Sequence, residues 1–261
     1  MRAGIFLYAL LFAPDALAWG LQTHVFLAQW ALAAVPLADP RIRAAALRFP
    51  RLVLAGACLP DLALAGRMLG LASFRRAHQW STLRRLCTAC WDEERAVALG
   101  YASHLLADIV AHNRFVPEHE RRIADVPHLT HALCEWAMDE HVQGELREMP
   151  AQLLVAEKPT LVEAATRTFR CSGATAGQAI LFLARAEGTL RASRVPRVCR
   201  RMVGSSGFDA YLRDVKTLLR QIDAVLAGAE PRLQPEADQP MRNEPPAIRP
   251  PSAPAARTSL G

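Results

Sequence analysis

Three polar side chains recur at intervals of four in a segment that is otherwise apolar. They are His104, Asp108 and His112. Four residues advance an α-helix by about 400°, so each side chain is offset from the previous one by only about 40°. The three therefore share one stripe of a helix whose other faces are apolar. A buried carboxylate between two imidazoles is costly unless it binds a proton or a metal ion, and zinc prefers these ligands. The alternative is a hydrogen-bonded His-Asp-His stack in the core.

Further candidate ligands lie on both sides of this stripe in the sequence. His131 and Glu135 are again four apart, which lets both bind one ion from a single helix face. An ordinary pair on a solvated face is the alternative. Asp61 follows Pro60, whose ring fixes the backbone before it, although an Asp there is also typical of a simple turn. His78 stands alone, and a lone histidine is more often structural.

The first residues have the pattern of an export signal. Arg2 is followed by a short apolar run over residues 4–13, and residues 16–18 have the small-x-small pattern of a cleavage site. This pattern predicts a signal peptide over residues 1–18 and a secreted or periplasmic protein that begins at Trp19. The freed α-amine has a pKa of about 8, so it deprotonates easily beside a cation. It can chelate a metal together with its own carbonyl and His24. An uncleaved membrane anchor or a core helix is the alternative interpretation.

These motifs occur in an order that resembles the zinc-dependent phospholipase C superfamily. That superfamily also includes single-strand-specific zinc nucleases and the catalytic domain of glycosylphosphatidylinositol-specific phospholipase D. The motifs that carry the resemblance, over residues 19–139, are Trp19-Gly-x-x-x-His24, Pro60-Asp61, His78-x-Trp80, the His104/Asp108/His112 stripe and His131-x-x-x-Glu135. In the bacterial phospholipases and the nucleases, the histidine after the Asp of the stripe follows six residues later. Here it follows after four, as in the glycosylphosphatidylinositol-type branch.

The resemblance implies an all-α fold around a site for up to three zinc ions. The implied ligands are, for the first ion, Asp61, His78, His104 and Asp108; for the second, the amine and carbonyl of Trp19, His24 and the bridging Asp108; and for the third, His112, His131 and Glu135. The resemblance also implies catalytic roles for Asp108, as the bridge, and for Asp61, which orients or deprotonates the attacking water.

Such a site suits phosphodiester hydrolysis. Zinc polarises phosphoryl oxygens and lowers the pKa of a bound water to about 7. Three ions bring six positive charges against the three negative charges of Asp61, Asp108 and Glu135, so the site retains an excess that attracts a phosphate. Asn113 and Asp139 are candidates for orienting the imidazoles from behind.

The segments around these motifs predict helices. Ala and Leu, which are strong helix formers, dominate the apolar half of the 261-residue chain. Apolar residues recur at helical spacing, and no alternating run is long enough to predict a strand. The predicted helices cover residues 24–34, 41–47, 93–112, 128–145, 160–169, 174–192 and 208–226. The sequence therefore predicts an all-α, multi-helix single domain over residues 19–228.

The composition changes after residue 228. Eight of the eighteen prolines fall in residues 229–261 and apolar anchors vanish, which predicts a disordered, proline-rich tail. Charges cancel within this tail and within the signal segment, so the net charge of +6 belongs to the folded domain. A modest basic excess suits an anionic substrate or contact with an anionic membrane surface. No dedicated nucleic-acid-binding arm is evident.

The six cysteines permit two interpretations. An even number allows disulfides in an oxidising compartment, and Cys87 and Cys90 are spaced for a local bridge. Free buried thiols fit the sequence equally well.

Several functions are compatible with these motifs. A zinc nuclease needs an aromatic platform for bases. The few aromatic residues near the motifs are Phe26, Trp30, Trp80, Tyr101, Phe115 and Trp136. Their scarcity favours a phospholipid, or another phosphodiester, as the substrate of a phospholipase C-like hydrolase. A zinc site with every position filled would instead be structural, without turnover. A helical interaction module without metal is the remaining alternative.

Overall fold

The computed structural model describes residues 20–88, 91–123 and 127–231. The predicted signal peptide, Trp19, Cys90 and residues 232–261 of the predicted tail lie outside these ranges. Within them every regular element is a helix and no strand occurs, which confirms the all-α prediction. The α-helices are α1 (Leu21–Ala34), α2 (Pro40–Arg48), α3 (Pro50–Gly56), α4 (Leu62–Met68), α5 (Trp80–Cys87), α6 (Asp92–Val110), α7 (Val116–Ile123), α8 (Pro127–Val142), α9 (Pro150–Ala156), α10 (Lys158–Phe169), α11 (Gly173–Ala192), α12 (Val195–Val203), α13 (Phe208–Leu219) and α14 (Ile222–Leu226).

Helix α6 is the centre of the fold. Its first turn carries Asp92, Glu93 and Glu94, whose charges favour a helix start. From residue 96 to its end every residue is buried, because helices α1, α2, α3, α5, α10, α13 and α14 pack around it. A helix that is apolar on nearly all faces must be enclosed in this way. The few polar residues on α6, His104 and Asp108 among them, are therefore held in the protein interior.

Two glycines allow α3 and α6 to cross with their backbones in contact. A Cβ on Gly100 would lie 2.7 Å from the main-chain nitrogen of Ala57. One on Gly56 would lie 2.8 Å from the Cα of Val97. Real Cβ atoms do not approach other atoms so closely, so only glycine permits this crossing. The crossing brings the carbonyl of Ala57 next to α6 one turn beyond Gly100.

Several predicted boundaries differ from the observed helices. The predicted helix over residues 93–112 is α-helical only to Val110 and continues as a π-helical turn over Ala111–Phe115. The predicted helix over residues 128–145 ends as a 3-10 turn over Gln143–Glu145, and the segment 208–226 divides into α13 and α14. The sequence also failed to predict six short helices, α3, α4, α5, α7, α9 and α12. Four of these have a proline in the first turn, where its missing N–H needs no partner within the helix.

The described cysteines are free thiols rather than disulfides. Cys58, Cys134 and Cys199 are buried, and Cys87 and Cys171 are half-buried. Burial raises the pKa of both Cys87 and Cys199 to about 11, so these thiols are protonated at neutral pH. The predicted pairing of Cys87 with Cys90 involves a residue outside the described ranges. Among the described helices, none is both long and apolar enough to cross a bilayer.

Candidate metal centre

Six separate elements bring the described candidate ligands together. His24 lies on α1, Asp61 in the turn before α4 and His78 in the turn before α5. His104 and Asp108 lie on α6, His112 lies in the π-helical turn, and His131 and Glu135 lie on α8. These eight side chains form two neighbouring clusters. Trp19 is outside the described residues, and its neighbour Gly20 begins the described chain.

The first cluster is centred on the Asp108 carboxylate. Its Oδ1 lies 3.4 Å from Nε2 of His24, and its Oδ2 lies 3.0 Å from Nε2 of His104 and 3.6 Å from Nε2 of His78. The rings of His24 and His104 stack with centroids 3.5 Å apart. Oδ1 thus faces one imidazole and Oδ2 faces two others. A carboxylate that bridges two ions requires this arrangement.

Potential ligand atoms converge in two overlapping groups. His24, His104 and Asp108 form one, and Asp61, His78 and His104 form the other, with the ligand atoms of each group all within 4.8 Å of one another. Oδ1 of Asp61 lies 3.6 Å from Nε2 of His78. Although Asp61 directly precedes α4, its side chain makes no capping hydrogen bond. Its carboxylate is therefore available to the cluster.

The tautomer of His104 follows from its hydrogen bond. Nδ1 lies 2.7 Å from the carbonyl oxygen of Ala57, and because a carbonyl only accepts, Nδ1 must donate the proton. In the neutral ring, Nε2 then carries a lone pair. That lone pair faces Oδ2 of Asp108 and, at 3.2 Å, Nε2 of His78. Such a contact between electron-rich atoms is favourable only with a proton or a cation between them.

Hydrogen bonds to the main chain also support the turn that carries His78. The hydroxyl of Tyr101, on α6, donates a hydrogen bond to the carbonyl of Ala77. The hydroxyl of Thr82 donates to the carbonyl of Arg76 over 2.6 Å. These two bonds fix the main chain directly before the histidine. Backbone support of this kind orients metal ligands in proteins.

The second cluster contains His112, His131 and Glu135. Nε2 of His131 lies 2.8 Å from Oε1 of Glu135, one turn along α8, and the ring centroids of His112 and His131 are 5.1 Å apart. The π-helical turn places His112 here, because its wider turn departs from the regular stripe that the four-residue spacing predicts. Single π-helical turns often occur at functional sites.

Burial dominates the electrostatics of both clusters. Desolvation raises the pKa of Asp108, although His104 and His78 oppose it. Desolvation also raises the pKa of Glu135 well above its usual range, and the charges of Asp61, Asp108 and Asp139 raise it further. Desolvation and the neighbouring imidazoles lower the pKa of His112 well below its usual range. The centre therefore combines a neutral imidazole at His112 with buried carboxylates that lack sufficient positive charge around them.

These features fit zinc. Neutral imidazole nitrogens and carboxylate oxygens are its ordinary ligands, and it supplies the positive charge that buried carboxylates need. The lone pair of His104 and both oxygens of Asp108 converge on the space where an ion would bind. His24, Asp61, His78, His104 and Asp108 would hold ions in the first cluster, and His112, His131 and Glu135 would hold one in the second.

Asn113 and Asp139, which the sequence predicts to orient the imidazoles, both make hydrogen bonds with the main chain. The amide of Asn113 donates to the carbonyl of Ile109 on its own helix over 2.8 Å. Asp139 accepts hydrogen bonds from the start of α1 and from Arg191. The carbonyl of Ala57 and the hydroxyl of Tyr101 were not predicted, because no side-chain pattern marks a carbonyl acceptor 47 residues away from its histidine. Gly100, an isolated glycine in an apolar helix, was the available signal of a close approach.

Comparison with known proteins gives one match. The family model described as zinc dependent phospholipase C matches residues 23–172. This span includes His24, Glu135 and the six other described candidate ligands between them. No curated protein matches the chain, and no solved structure does.

Proposed function

The chain belongs to the zinc-dependent phospholipase C family, and from this membership and the geometry of the centre we propose that it hydrolyses phosphodiesters, with phospholipid headgroups as the substrate. The observation that carries the proposal is the Asp108 carboxylate, buried between the imidazoles of His24, His78 and His104 at 3.0–3.6 Å. A purely structural His-Asp-His stack needs only two imidazoles, whereas this carboxylate faces three.

In this proposal the chain's residues have separate tasks. Zinc supplies the Lewis acidity that polarises the phosphoryl group and acidifies a water molecule. Asp108 would hold the ions as their shared carboxylate, and His24, His78 and His104 would hold them through their imidazoles. Oδ1 of Asp61 faces His78, which leaves Oδ2 to orient the attacking water and accept its proton. The apolar packing around α6 excludes other water from the centre.

The aromatic residues near the centre favour lipid over single-stranded nucleic acid. Trp80, Tyr101, Phe115 and Trp136 are buried, so their faces are covered by protein. Phe26 and Trp30 are half-buried, and Lys216 lies over both rings at 5.2 and 5.7 Å from their centroids. Base stacking requires an accessible ring face. Four of these six rings offer none, which supports a substrate without a base.

The outward face of α12 supports contact with an anionic membrane surface. It presents Arg194, Arg197 and Arg201 beside Val198 and Met202, which are 49% and 58% exposed. Arginines attract anionic headgroups, and exposed apolar side chains insert among acyl chains. Helix α12 packs against α8, which carries His131 and Glu135.

The proposal is tested by metal analysis together with two substrates. We expect the purified chain to contain zinc, to release a phosphorylated headgroup from phosphatidylcholine and to lose this activity with a chelator. Release of nucleotides from single-stranded DNA at a comparable rate would identify a nuclease instead. Bound zinc with neither activity would identify a structural zinc protein.

A further inference from the structure

One carboxylate near the metal centre has no place in either cluster. Asp139 lies on α8 one turn beyond Glu135 and is fully buried. It accepts hydrogen bonds from the main-chain nitrogen of Thr23 at 2.8 Å, from the hydroxyl of Thr23 at 2.7 Å and from the main-chain nitrogen of Gln22 at 3.4 Å. These donors belong to the first turn of α1, and the next residue along the chain is His24.

Asp139 acts as the cap of α1. Gly20 precedes this helix and has no side chain with which to cap it. The first N–H groups of a helix have no partner within the helix, and a carboxylate there also interacts favourably with the helix dipole. Asp139 satisfies them from another helix, 116 residues further along the chain. This contact therefore joins α8 to α1 in addition to capping α1.

Gly20 leaves room for this contact because it has no side chain. A Cβ at residue 20 would lie 2.7 Å from Oδ1 of Asp139 and closer still to its other carboxylate atoms. The φ of Gly20 is −59°, a value that any residue adopts, so backbone conformation does not require glycine there. The requirement is space for the carboxylate of Asp139.

A buried group of side chains holds Asp139 from its other side. Nη2 of Arg191, on α11, lies 2.8 Å from Oδ2 of Asp139, and Nε of Arg191 lies 3.0 Å from Oε1 of Glu187. The same oxygen of Glu187 accepts a hydrogen bond from the amide of Gln22 over 3.1 Å. Asp139 and Gln22 are therefore both fixed to α11, and the first turn of α1 is held at two points.

We propose that Asp139 is a positioning residue of the metal centre, which sets the start of α1, and with it His24, against the ligands of α8. The inference rests on the proposed zinc site but not on the reaction. His24 faces Asp108 in the first cluster, and Glu135 belongs to the second. Asp139 thus fixes the distance between the two clusters, and Gly20 provides the space that this distance requires.

The test compares variants of the chain as the cell produces it, with its amino terminus determined by sequencing. Asp139→Ala removes the cap, and Gly20→Ala displaces it without removing any hydrogen-bonding group. We expect both to bind zinc about 10–100-fold more weakly than the wild type, as when other residues that support metal ligands are replaced. With cobalt in place of zinc, both should show altered visible absorption bands, which report ligand geometry and not stability.

A control and a double variant separate positioning from stability. Gly188→Ala, on the same helix as Glu187, meets nothing within 4 Å and should leave zinc affinity and the cobalt spectrum unchanged. Gly20→Ala combined with Asp139→Ala should bind zinc no more weakly than Asp139→Ala alone, because the atoms that the new methyl would strike are gone. Additive losses would overturn the inference.

The remaining outcomes distinguish this inference from the proposed function. Wild-type chain that binds zinc, beside folded Gly20→Ala and Asp139→Ala chains with the same affinity and cobalt spectrum, would overturn only the positioning role. Wild-type chain that binds no zinc would overturn both. If Asp139→Ala fails to fold, Gly20→Ala decides alone, since it removes no polar partner.

Discussion

Individual side chains in the metal centre are oriented by main-chain carbonyls. The carbonyl of Ala57 holds Nδ1 of His104, and the hydroxyl of Tyr101 holds the turn that carries His78. The ring of His104 therefore presents Nε2 to the space around Asp108. A ring held by such a hydrogen bond loses less conformational freedom when an ion binds.

Asp108 faces an imidazole of each overlapping ligand group, His24 in one and His78 in the other. Asp108→Asn keeps the side-chain shape but replaces one carboxylate oxygen with an amide nitrogen, a poor ligand that brings no negative charge. We expect loss of most of the bound zinc and a fall in hydrolysis of about 100-fold or more, which corresponds to about 3 kcal/mol of transition-state stabilisation.

Zinc content and phosphodiester hydrolysis measure this effect. The matched control is Asp92→Asn in the exposed first turn of the same helix, where the carboxylate pairs with nearby Arg95. Full zinc content in Asp108→Asn would contradict the bridging role.

Glu120, on α7, makes the stability of the fold depend on pH. It is buried, its Oε2 accepts no hydrogen bond among the described residues, and burial raises its pKa to about 7. Between its unfolded pKa, about 4.3, and this raised value, the folded chain binds more protons than the unfolded chain. The contribution to stability is thus complete below the unfolded pKa and is lost as the pH rises through the folded one.

Glu120→Gln should therefore raise the free energy of unfolding at pH 8 by about 1–3 kcal/mol and change it little at pH 4. Urea unfolding at both pH values measures this difference. Glu163→Gln on the exposed side of α10 is the control. An equal effect of Glu120→Gln at both pH values would show that packing, and not ionisation, is responsible.

At the scale of elements, the centre depends on how helices cross and where one of them changes its period. The glycines at residues 56 and 100 bring α3 and α6 into backbone contact, and this contact delivers the Ala57 carbonyl to His104. The π-helical turn after α6 carries His112 towards His131 on α8. A crossing distance and a change of helical period thus determine which histidines meet.

Gly100→Ala tests the crossing. The added methyl would lie 2.7 Å from the nitrogen of Ala57, so α3 and α6 must separate, at a cost of about 1–3 kcal/mol in stability. We also expect weaker zinc binding, because the Ala57 carbonyl moves away from His104. Thermal unfolding and zinc titration measure both effects.

Gly177→Ala on α11 is the control for the crossing. This glycine is also buried in a helix, but a Cβ there would meet its nearest atoms at an ordinary 3.7 Å. We expect no loss of stability, since alanine is the better helix former. If Gly100→Ala unfolds like this control, the two helices have more room than the structure shows.

At the scale of the whole molecule, a net positive charge is combined with a centre that is rich in carboxylates. The net charge is +6, and α12 places arginines and apolar residues on one outward face. Such a combination favours an anionic bilayer, where each arginine near the surface contributes about 1 kcal/mol. Binding to a membrane and hydrolysis at the centre are then separable properties.

Replacing Arg194 and Arg201 with glutamine should weaken binding to phosphatidylserine-containing vesicles by roughly 30-fold, or about 2 kcal/mol. Hydrolysis of a short-chain, monomeric phosphodiester should be unchanged. Vesicle co-sedimentation measures the first property and a soluble assay measures the second.

The control replaces Arg41 and Arg48 on α2, which alters the net charge equally. Equal loss of vesicle binding in this control and in the α12 variant would show that overall charge is responsible, and not the face of α12.

The sequence alone was sufficient to predict the all-α fold, the family and the types of ligand. These features are local, since a four-residue spacing places His104 and Asp108 on one face of any helix. The order of the motifs added the family, which the match to residues 23–172 confirms. The ligand roles of Trp19 and the other eight residues, the export signal and the domain limits stay predictions.

Only the tertiary structure decided how these ligands are held. The π-helical turn at His112, the Ala57 carbonyl behind His104 and the Asp139 cap at Gly20 have no signature in the sequence. The physical reason is that every residue has a main-chain carbonyl, so the sequence does not show which carbonyl a histidine will contact. A glycine can indicate a close approach, but it does not show which residue approaches. Contacts across 47 and 116 residues are determined by the packing of whole helices.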